Sequence, residues 1–203
     1  MRVIAGIAKG RELEAPRGGV TRPATERIRE SLFAILEPAL PEARVLDLFA
    51  GAGTLGIEAL SRGAAHVTFV ERSTAALTAL RKNIATTGFA AQAEIVAANV
   101  LAFLDSVRGA YDLVFCDPPF ADVAILEAAL AHPRLASSLA PDAYVVARVL
   151  KKHPPSVPPP ARVLRVKEIG EETILFLKYD LARTRPKTKS SGEDERRSTS
   201  EGR

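Results

Sequence analysis

Residues 46–56 read LDLFAGAGTLG, an apolar run that breaks into glycines at positions 51, 53 and 56 and opens into a helical pattern. Such a stretch folds as a buried strand, a tight loop and a helix, because glycine permits positive φ and lets a ligand approach the backbone. The loop alone serves NAD, FAD and S-adenosylmethionine alike. Asp47 discriminates between them. Four residues before Gly51, it sets a carboxylate at the strand end, where a pyrophosphate is repelled and the ammonium of a methionine moiety is held. Glu71 follows 24 residues after Asp47 and closes the next apolar run, HVTFVE (66–71), where a carboxylate can accept from both hydroxyls of a ribose.

Strand-like and helical periods alternate outward from this point. After VLDLFA (45–50) the pattern predicts a helix over 54–62, a strand over 66–71, a helix over 73–86, a strand AEIVAA (93–98), a helix over 100–107 and a strand DLVFCD (112–117). A helix over about 122–131, the run AYVVARVL (143–150), a Pro-rich link and two strands flanking Gly170 complete the series. Repeated βα units read as an α/β domain with a mostly parallel sheet, helices on both faces and an antiparallel hairpin closing one side. The third strand ends at Asn99, whose side chain can meet an adenine amino group or simply cap the following helix. Upstream, Ile28, Leu32, Phe33, Ile35 and Leu36 share one helical face, with Thr25 as N-cap, and lead into the domain.

FCDPPF (115–120) ends the fourth strand and is the most specific feature of the chain. An exocyclic base amine is a poor nucleophile because its lone pair is delocalised into the ring. The Asp117 carboxylate and the Pro118 carbonyl can each accept one N–H, which turns that lone pair toward an incoming methyl group, while the aspartate charge favours the developing cation. Pro118 and Pro119 fix the loop, and Phe120 offers a flat face on which a splayed-out base can stack. Cys116 invites a covalent mechanism, but transfer to an amine in one step needs no thiol, and a small residue in a buried strand reads as core.

The chain has 203 residues, 47% hydrophobic and 26% charged, and one cysteine. That composition describes a soluble globular domain, excludes an intrachain disulfide and leaves three scattered histidines that form no zinc cluster. No apolar run reaches membrane-spanning length, and the N-terminus becomes charged too soon for a signal peptide, so a cytoplasmic protein is expected. The net charge of +4 is uneven: residues 1–30 and 183–203 each balance at +3, and 31–182 at −2. Basic ends on a near-neutral body suit a polyanion. In the first, Arg2, Lys9, Arg11 and Arg17 interleave with VIAGI and Leu13, with Gly10 near a bend, which predicts an ordered hairpin. The second, RTRPKTKSSGEDERRSTSEGR, has nothing to bury and is expected to be a disordered tail that either solvates or attracts nucleic acid without specificity.

Together, MRVIAGIAKGRELEAP, RPATERIRESLFAIL, LDLFAGAGTLGIEALSRGA, FVERS and DPPF, spread over about residues 2–180, resemble the bacterial methyltransferases that modify guanine N2 in small-subunit ribosomal RNA, the RsmD type. The resemblance implies a class I S-adenosylmethionine-dependent methyltransferase fold, Rossmann-like, with a seven-stranded mostly parallel sheet, an antiparallel last strand and an N-terminal β-hairpin extension. It implies an arm over 1–22 that binds RNA through Arg2, Lys9, Arg11 and Arg22, a methyltransferase domain over 23–182 and a basic tail over 183–203. Asp47, Gly51, Gly53, Glu71 and Asn99 fall to S-adenosylmethionine, Asp117, Pro118, Pro119 and Phe120 to the target amine, and no residue to a metal. The implied reaction is that of a 16S ribosomal RNA guanine(966)-N(2) methyltransferase acting as a monomer on the RNA or on a 30S subunit. Two positions depart from the family pattern: Asn99 stands where Asp is common, and Ala147-Arg148 stands where an acidic residue is usual.

Other readings remain. Asp/Asn-Pro-Pro-aromatic loops also serve methylation of DNA adenine N6 and of protein glutamine amides, although no stretch here is long enough for a DNA-recognition domain. An RNA-binding module without activity explains the basic ends but not an intact DPPF. A nicotinamide-dependent oxidoreductase is the weakest, given Asp47.

Overall fold

Leu113 and Phe115 enter one hydrophobic core while Val114 and Cys116, between and after them, enter another. This alternation along a strand means that both faces of the sheet are covered. A computed structural model describes residues 1–16, 25–119 and 122–180; Arg17, Arg22, Phe120 and the 183–203 tail lie outside them. Its elements, in chain order, are α1 (Glu26–Leu36), β1 (Arg44–Asp47), α2 (Thr54–Ser61), β2 (His66–Glu71), α3 (Thr74–Thr87), β3 (Ala93–Ala97), α4 (Val100–Ser106), β4 (Tyr111–Cys116), α5 (Val123–Ala131), α6 (Pro133–Ser137), β5 (Leu139–Leu150), β6 (Ala161–Ile169) and β7 (Glu172–Tyr179).

The seven strands lie in the order β3-β2-β1-β4-β5-β7-β6. β1 to β5 are mutually parallel, and β7 runs antiparallel to both β5 and β6. The expected hairpin is therefore inserted with its second strand, not its first, against the parallel sheet. Helices α1, α2 and α3 cover one face and α4, α5 and α6 the other. From β3 at the edge, the chain crosses to β4 on the far side of β1, so the strand order reverses between β1 and β4, where open α/β sheets bind ligands at the carboxyl ends of their strands. Asp47 and FCDPPF both stand at that point.

Local chemistry explains most boundaries. Thr25, Ser73 and Asn99 cap α1, α3 and α4 by accepting from the N–H groups of Ile28, Ala76 and Leu101. α1 turns Ile28, Leu32, Phe33 and Leu36 inward, and Phe33 packs against Phe115 with ring centroids 5.8 Å apart. Two boundaries differ from expectation by more than one residue. β1 stops at Asp47 rather than at Ala50, because the backbone turns into the loop, where Gly53 N–H bonds Ala50 C=O at 2.7 Å. β5 begins at Leu139, after a short helix α6 that starts at Pro133 and was not expected. None of the described helices is long and apolar enough to cross a membrane.

Candidate active site

Three glycines shape the turn from β1 into α2 for different reasons. Gly53 N-caps α2 with φ +84°, and Gly56 lies against β2 so closely that a Cβ would stand 2.2 Å from the Phe69 ring. Gly51, with φ +55°, faces open space: a Cβ there would meet no atom within 4 Å. The loop is held from below by Asp47, whose Oδ2 accepts from Gly56 N–H at 3.1 Å, and from the side by Glu71, whose Oε2 accepts from Gly51 N–H at 2.8 Å. Asp47 is 1% exposed and its Oδ1 has no hydrogen-bond partner. Burial, and after it the charge of Asp117, push this carboxyl up to about 8.

An orphaned buried carboxylate oxygen beside an open glycine loop fits a ligand with an ammonium group, and the methionine moiety of S-adenosylmethionine has one. Glu71 also accepts from Arg72 and Ser73 N–H, at 2.8 and 2.7 Å. Three backbone donors leave about one lone-pair site, so taking both hydroxyls of a ribose requires the Gly51 bond to give way. Asn99, assigned to the cofactor's adenine, is exposed, and its Oδ1 caps α4, accepting from Leu101 N–H at 2.9 Å.

At the end of β4, Asp117 accepts from Arg148 in a two-pronged pair, Nε to Oδ1 at 2.7 Å and Nη2 to Oδ2 at 2.9 Å. Arg148 Nη1 reaches Glu172 of β7 at 2.6 Å. Burial raises the Asp117 carboxyl above its ordinary value, and Arg148 opposes that rise. Pro118, Pro119, Val123, Leu126 and Arg148 line a shallow hollow of about 10 Å³ beside this pair. Phe120, assigned to base stacking, lies outside the described residues. Cys116 is wholly buried in the second core, and burial pushes its thiol far up, so it supplies no thiolate.

Residues 1–178 match the family described as Conserved hypothetical protein 95. The chain belongs to this family. It is 44% identical over 120 residues to ribosomal RNA small subunit methyltransferase D of Escherichia coli, a stretch that spans 59% of this chain and 60% of that relative. The solved structure of the Escherichia coli protein yhhF superposes with a TM-score of 0.77 at 35% identity, covering 88% of this chain and 97% of that one. An RNA methyltransferase from Salinibacter ruber, solved with S-adenosyl-L-homocysteine, shares the fold at 17% identity, with a TM-score of 0.59 over 76% of this chain and 92% of its own. The fold is thus the class I, Rossmann-like one of the methyltransferases.

In this family member the N-terminal arm is part of the core. Val3, Ala8 and Leu13 are buried with α1 and α2. The arm folds back on itself through an antiparallel bridge between Arg2 and Glu12, with Val3 N–H donating to Arg11 C=O, Gly10 N–H to Val3 C=O and Leu13 N–H to Met1 C=O at 2.7–2.9 Å, and its turn bonds in addition to α2. Ile4 and Ala5 N–H donate to the Glu58 carboxylate at 2.8 and 3.0 Å, and Ile7 N–H to Ser61 C=O at 2.8 Å. A Cβ on Gly6 would stand 1.7 Å from Ser61 C=O, so glycine is required there. Glu58, fully buried, is balanced by Arg62 at 2.8 Å and Arg29 at 3.8 Å. Lys9 and Arg11 stay exposed, and Arg2 pairs with Glu26 at the surface at 3.1 Å.

Sequence reasoning missed the residues that support the site. Asn83 of α3 donates to Ala52 C=O in the glycine loop at 2.9 Å and exchanges two bonds with the Glu14 backbone, tying loop to arm. Nothing in a polar residue within a helical pattern announces this. Arg148 did leave a signal, as a lone charge within AYVVARVL: a cation in a buried strand must have partners.

Proposed function

We propose that the protein transfers a methyl group from S-adenosylmethionine to the exocyclic N2 amine of a guanine in 16S ribosomal RNA. The observation that carries this reading is the meeting, at the ends of the adjacent strands β1 and β4, of a buried carboxylate oxygen without a partner and the Asp117-Pro118 acceptor corner. S-adenosylmethionine, when bound, supplies an electrophilic methyl on a positive sulfur. Asp47 Oδ1 receives its ammonium, and Glu71 its ribose. Asp117 and the Pro118 carbonyl would take the two N–H bonds of the amine, so that its lone pair points toward the methyl group that S-adenosylmethionine would supply, and the proton that the methylated amine gives up would pass to water. The likeness to a small-subunit ribosomal RNA methyltransferase supports RNA as substrate, and exposed Lys9 and Arg11 on a rigidly docked arm suit phosphates.

The test is incubation with labelled S-adenosylmethionine and 30S subunits from cells lacking this enzyme, followed by mapping of the labelled nucleotide; a label on guanine N2 is expected, and label on adenine or on protein overturns the assignment. Replacing Lys9 and Arg11 by Ala together should weaken RNA binding and lower its salt slope by about 0.7–0.9 for each phosphate no longer neutralised.

A further inference from the structure

Asp117 follows Cys116, which pairs with Ala147 across β4 and β5, so Asp117 and Arg148 leave adjacent strands side by side. On the other side of β5, Leu150 pairs with Glu172 at the start of β7, which brings a second carboxylate to the same guanidinium. The three side chains are 14%, 8% and 13% exposed, and they are joined by three bonds of 2.6–2.9 Å. This is a fixed row, Asp117–Arg148–Glu172, built across three strands. We propose that Arg148, braced by Glu172, is the positioning residue of the amine site: it sets the plane of the Asp117 carboxylate and keeps it an acceptor. The proposal rests on the reading of Asp117 as the acceptor for the target amine.

The chemistry follows from lone-pair accounting. An ionised carboxylate offers about four acceptor positions. The two-pronged Arg148 pair uses one on each oxygen, so one remains on each for an amine N–H. A carboxylate in this partly dry corner without a cation would take up a proton, and its O–H would then face the amine as a donor. Arg148 opposes that, and its planar fork also fixes the direction of the remaining lone pairs, which a lysine cannot do. Glu172 acts in the opposite sense. It anchors the guanidinium, but its own charge raises the Asp117 carboxyl. The row therefore carries one net negative charge beside the place where the amine becomes cationic. Among the described residues, the charged groups that face Asp117 are Arg148 from β5, Glu172 from β7 and Asp47 from β1, with Glu71 of β2 behind Asp47.

The experiment is the pH dependence of kcat at saturating S-adenosylmethionine on the same 30S subunits, for the full-length chain and for Arg148→Gln, Arg148→Lys, Glu172→Gln and Asp117→Ala. Thermal unfolding and calorimetry with S-adenosylhomocysteine confirm the fold of each. Arg148→Gln should lower kcat at neutral pH by about tenfold or more, with the acid limb displaced to higher pH. Glu172→Gln should displace that limb to lower pH. Arg148→Lys should return the limb toward its original place while leaving kcat below wild type. A merely structural role predicts no such opposite displacement. Acid limbs that stay in place, or that move in the same direction in the Arg148→Gln and Glu172→Gln variants, while Asp117→Ala is inactive, overturn the positioning role alone. If Arg148→Gln does not fold, the Glu172→Gln and Arg148→Lys profiles decide the question. Asp117→Ala with near wild-type turnover overturns the reading beneath it.

Discussion

Asp47 and Asp117 end neighbouring strands of one sheet and both are withdrawn from water, yet they are treated in opposite ways. Asp47 keeps one oxygen without a partner, whereas both oxygens of Asp117 are bound by Arg148. A buried acceptor without a partner is costly, so its retention marks a place completed by a ligand cation. A carboxylate held by a fork is already complete; it is fixed in direction and waits for a neutral donor. On the proposed function, the first corner binds and the second orients. Variants that separate affinity from turnover test that division.

The largest effect is expected at the orienting corner. Asp117→Ala should reduce turnover on 30S subunits by roughly 100-fold or more, as for other preorganised polar groups, with S-adenosylmethionine affinity by calorimetry nearly unchanged. If the loss fell on affinity instead, the two carboxylates would share one task and the division would fail. Removing Asp117 also leaves Arg148 with Glu172 alone, and breaking a buried pair costs about 3–5 kcal/mol. Residual turnover must therefore be read beside a melting curve.

Asp47→Asn should do the converse: affinity for S-adenosylmethionine falls by about 10- to 100-fold, the worth of a charge-assisted hydrogen bond, and kcat at saturation changes little. The pH dependence has a definite sign. Burial lifts this carboxyl from its ordinary 3.8 to about 8 in the free protein. The folded chain thus holds a proton that the unfolded chain has released, and the group's contribution to stability, full below 3.8, is lost as the pH rises through about 8. Binding an ammonium requires the ionised form, so wild-type affinity should weaken as the pH falls below about 8. An α-ammonium starts to lose its own proton at about 7.7–8.0, which places the optimum near there. Asp47→Asn should flatten the acid side and leave the free protein at least as stable at pH 8. A wild-type affinity independent of pH would show that Asp47 Oδ1 does not meet the ammonium.

How far this division could be read from residues alone depends on where the partners lie in the chain. LDLFAGAGTLG and FCDPPF are contiguous, and their chemistry is written within a few residues, so the sheet and both carboxylates are legible. Arg148 and Glu172 lie 31 and 55 residues beyond Asp117; Arg148 meets it because β5 adjoins β4, and Glu172 reaches Arg148 because β7 inserts between β5 and β6. Periodicity shows that β6 and β7 pair, but not which of them adjoins β5. The arm was legible as ordered because its apolar residues require burial; its attachment to Glu58 was not, because a glutamate in the pattern TLGIEALS reads as a solvated helix position until a backbone crosses it.

Asn83 supports the binding corner as Arg148 supports the orienting one, but through neutral bonds, and its effect should be smaller. Asn83→Ala removes the bond to Ala52 C=O and both bonds to Glu14. Affinity for S-adenosylmethionine should fall by about three- to tenfold, from about 0.5–1.5 kcal/mol of lost loop support, with kcat and its acid limb unchanged. A displaced acid limb would mean that the two corners are coupled through the loop.

Cys116 stands between the corners in sequence and should matter least for activity. It precedes Asp117, and a thiol next to the carboxylate proposed to hold the amine could turn a direct transfer into a two-step route through a methylated cysteine. The structure opposes that route on two grounds. Cys116 faces the second core, not the corner where Asp117 emerges, and is fully buried. Burial, followed by the charges of Asp47 and Asp117, also holds the thiol protonated, and only a thiolate attacks. Cys116→Ala should accordingly keep turnover within about twofold of wild type while costing about 1 kcal/mol of stability for the small cavity left behind. Iodoacetamide should not inhibit the folded enzyme. A 100-fold loss of turnover in a variant with a normal melting curve and normal cofactor affinity would require a third participant beside the two carboxylates, and the clean partition between a corner that binds and one that orients would no longer describe the reaction.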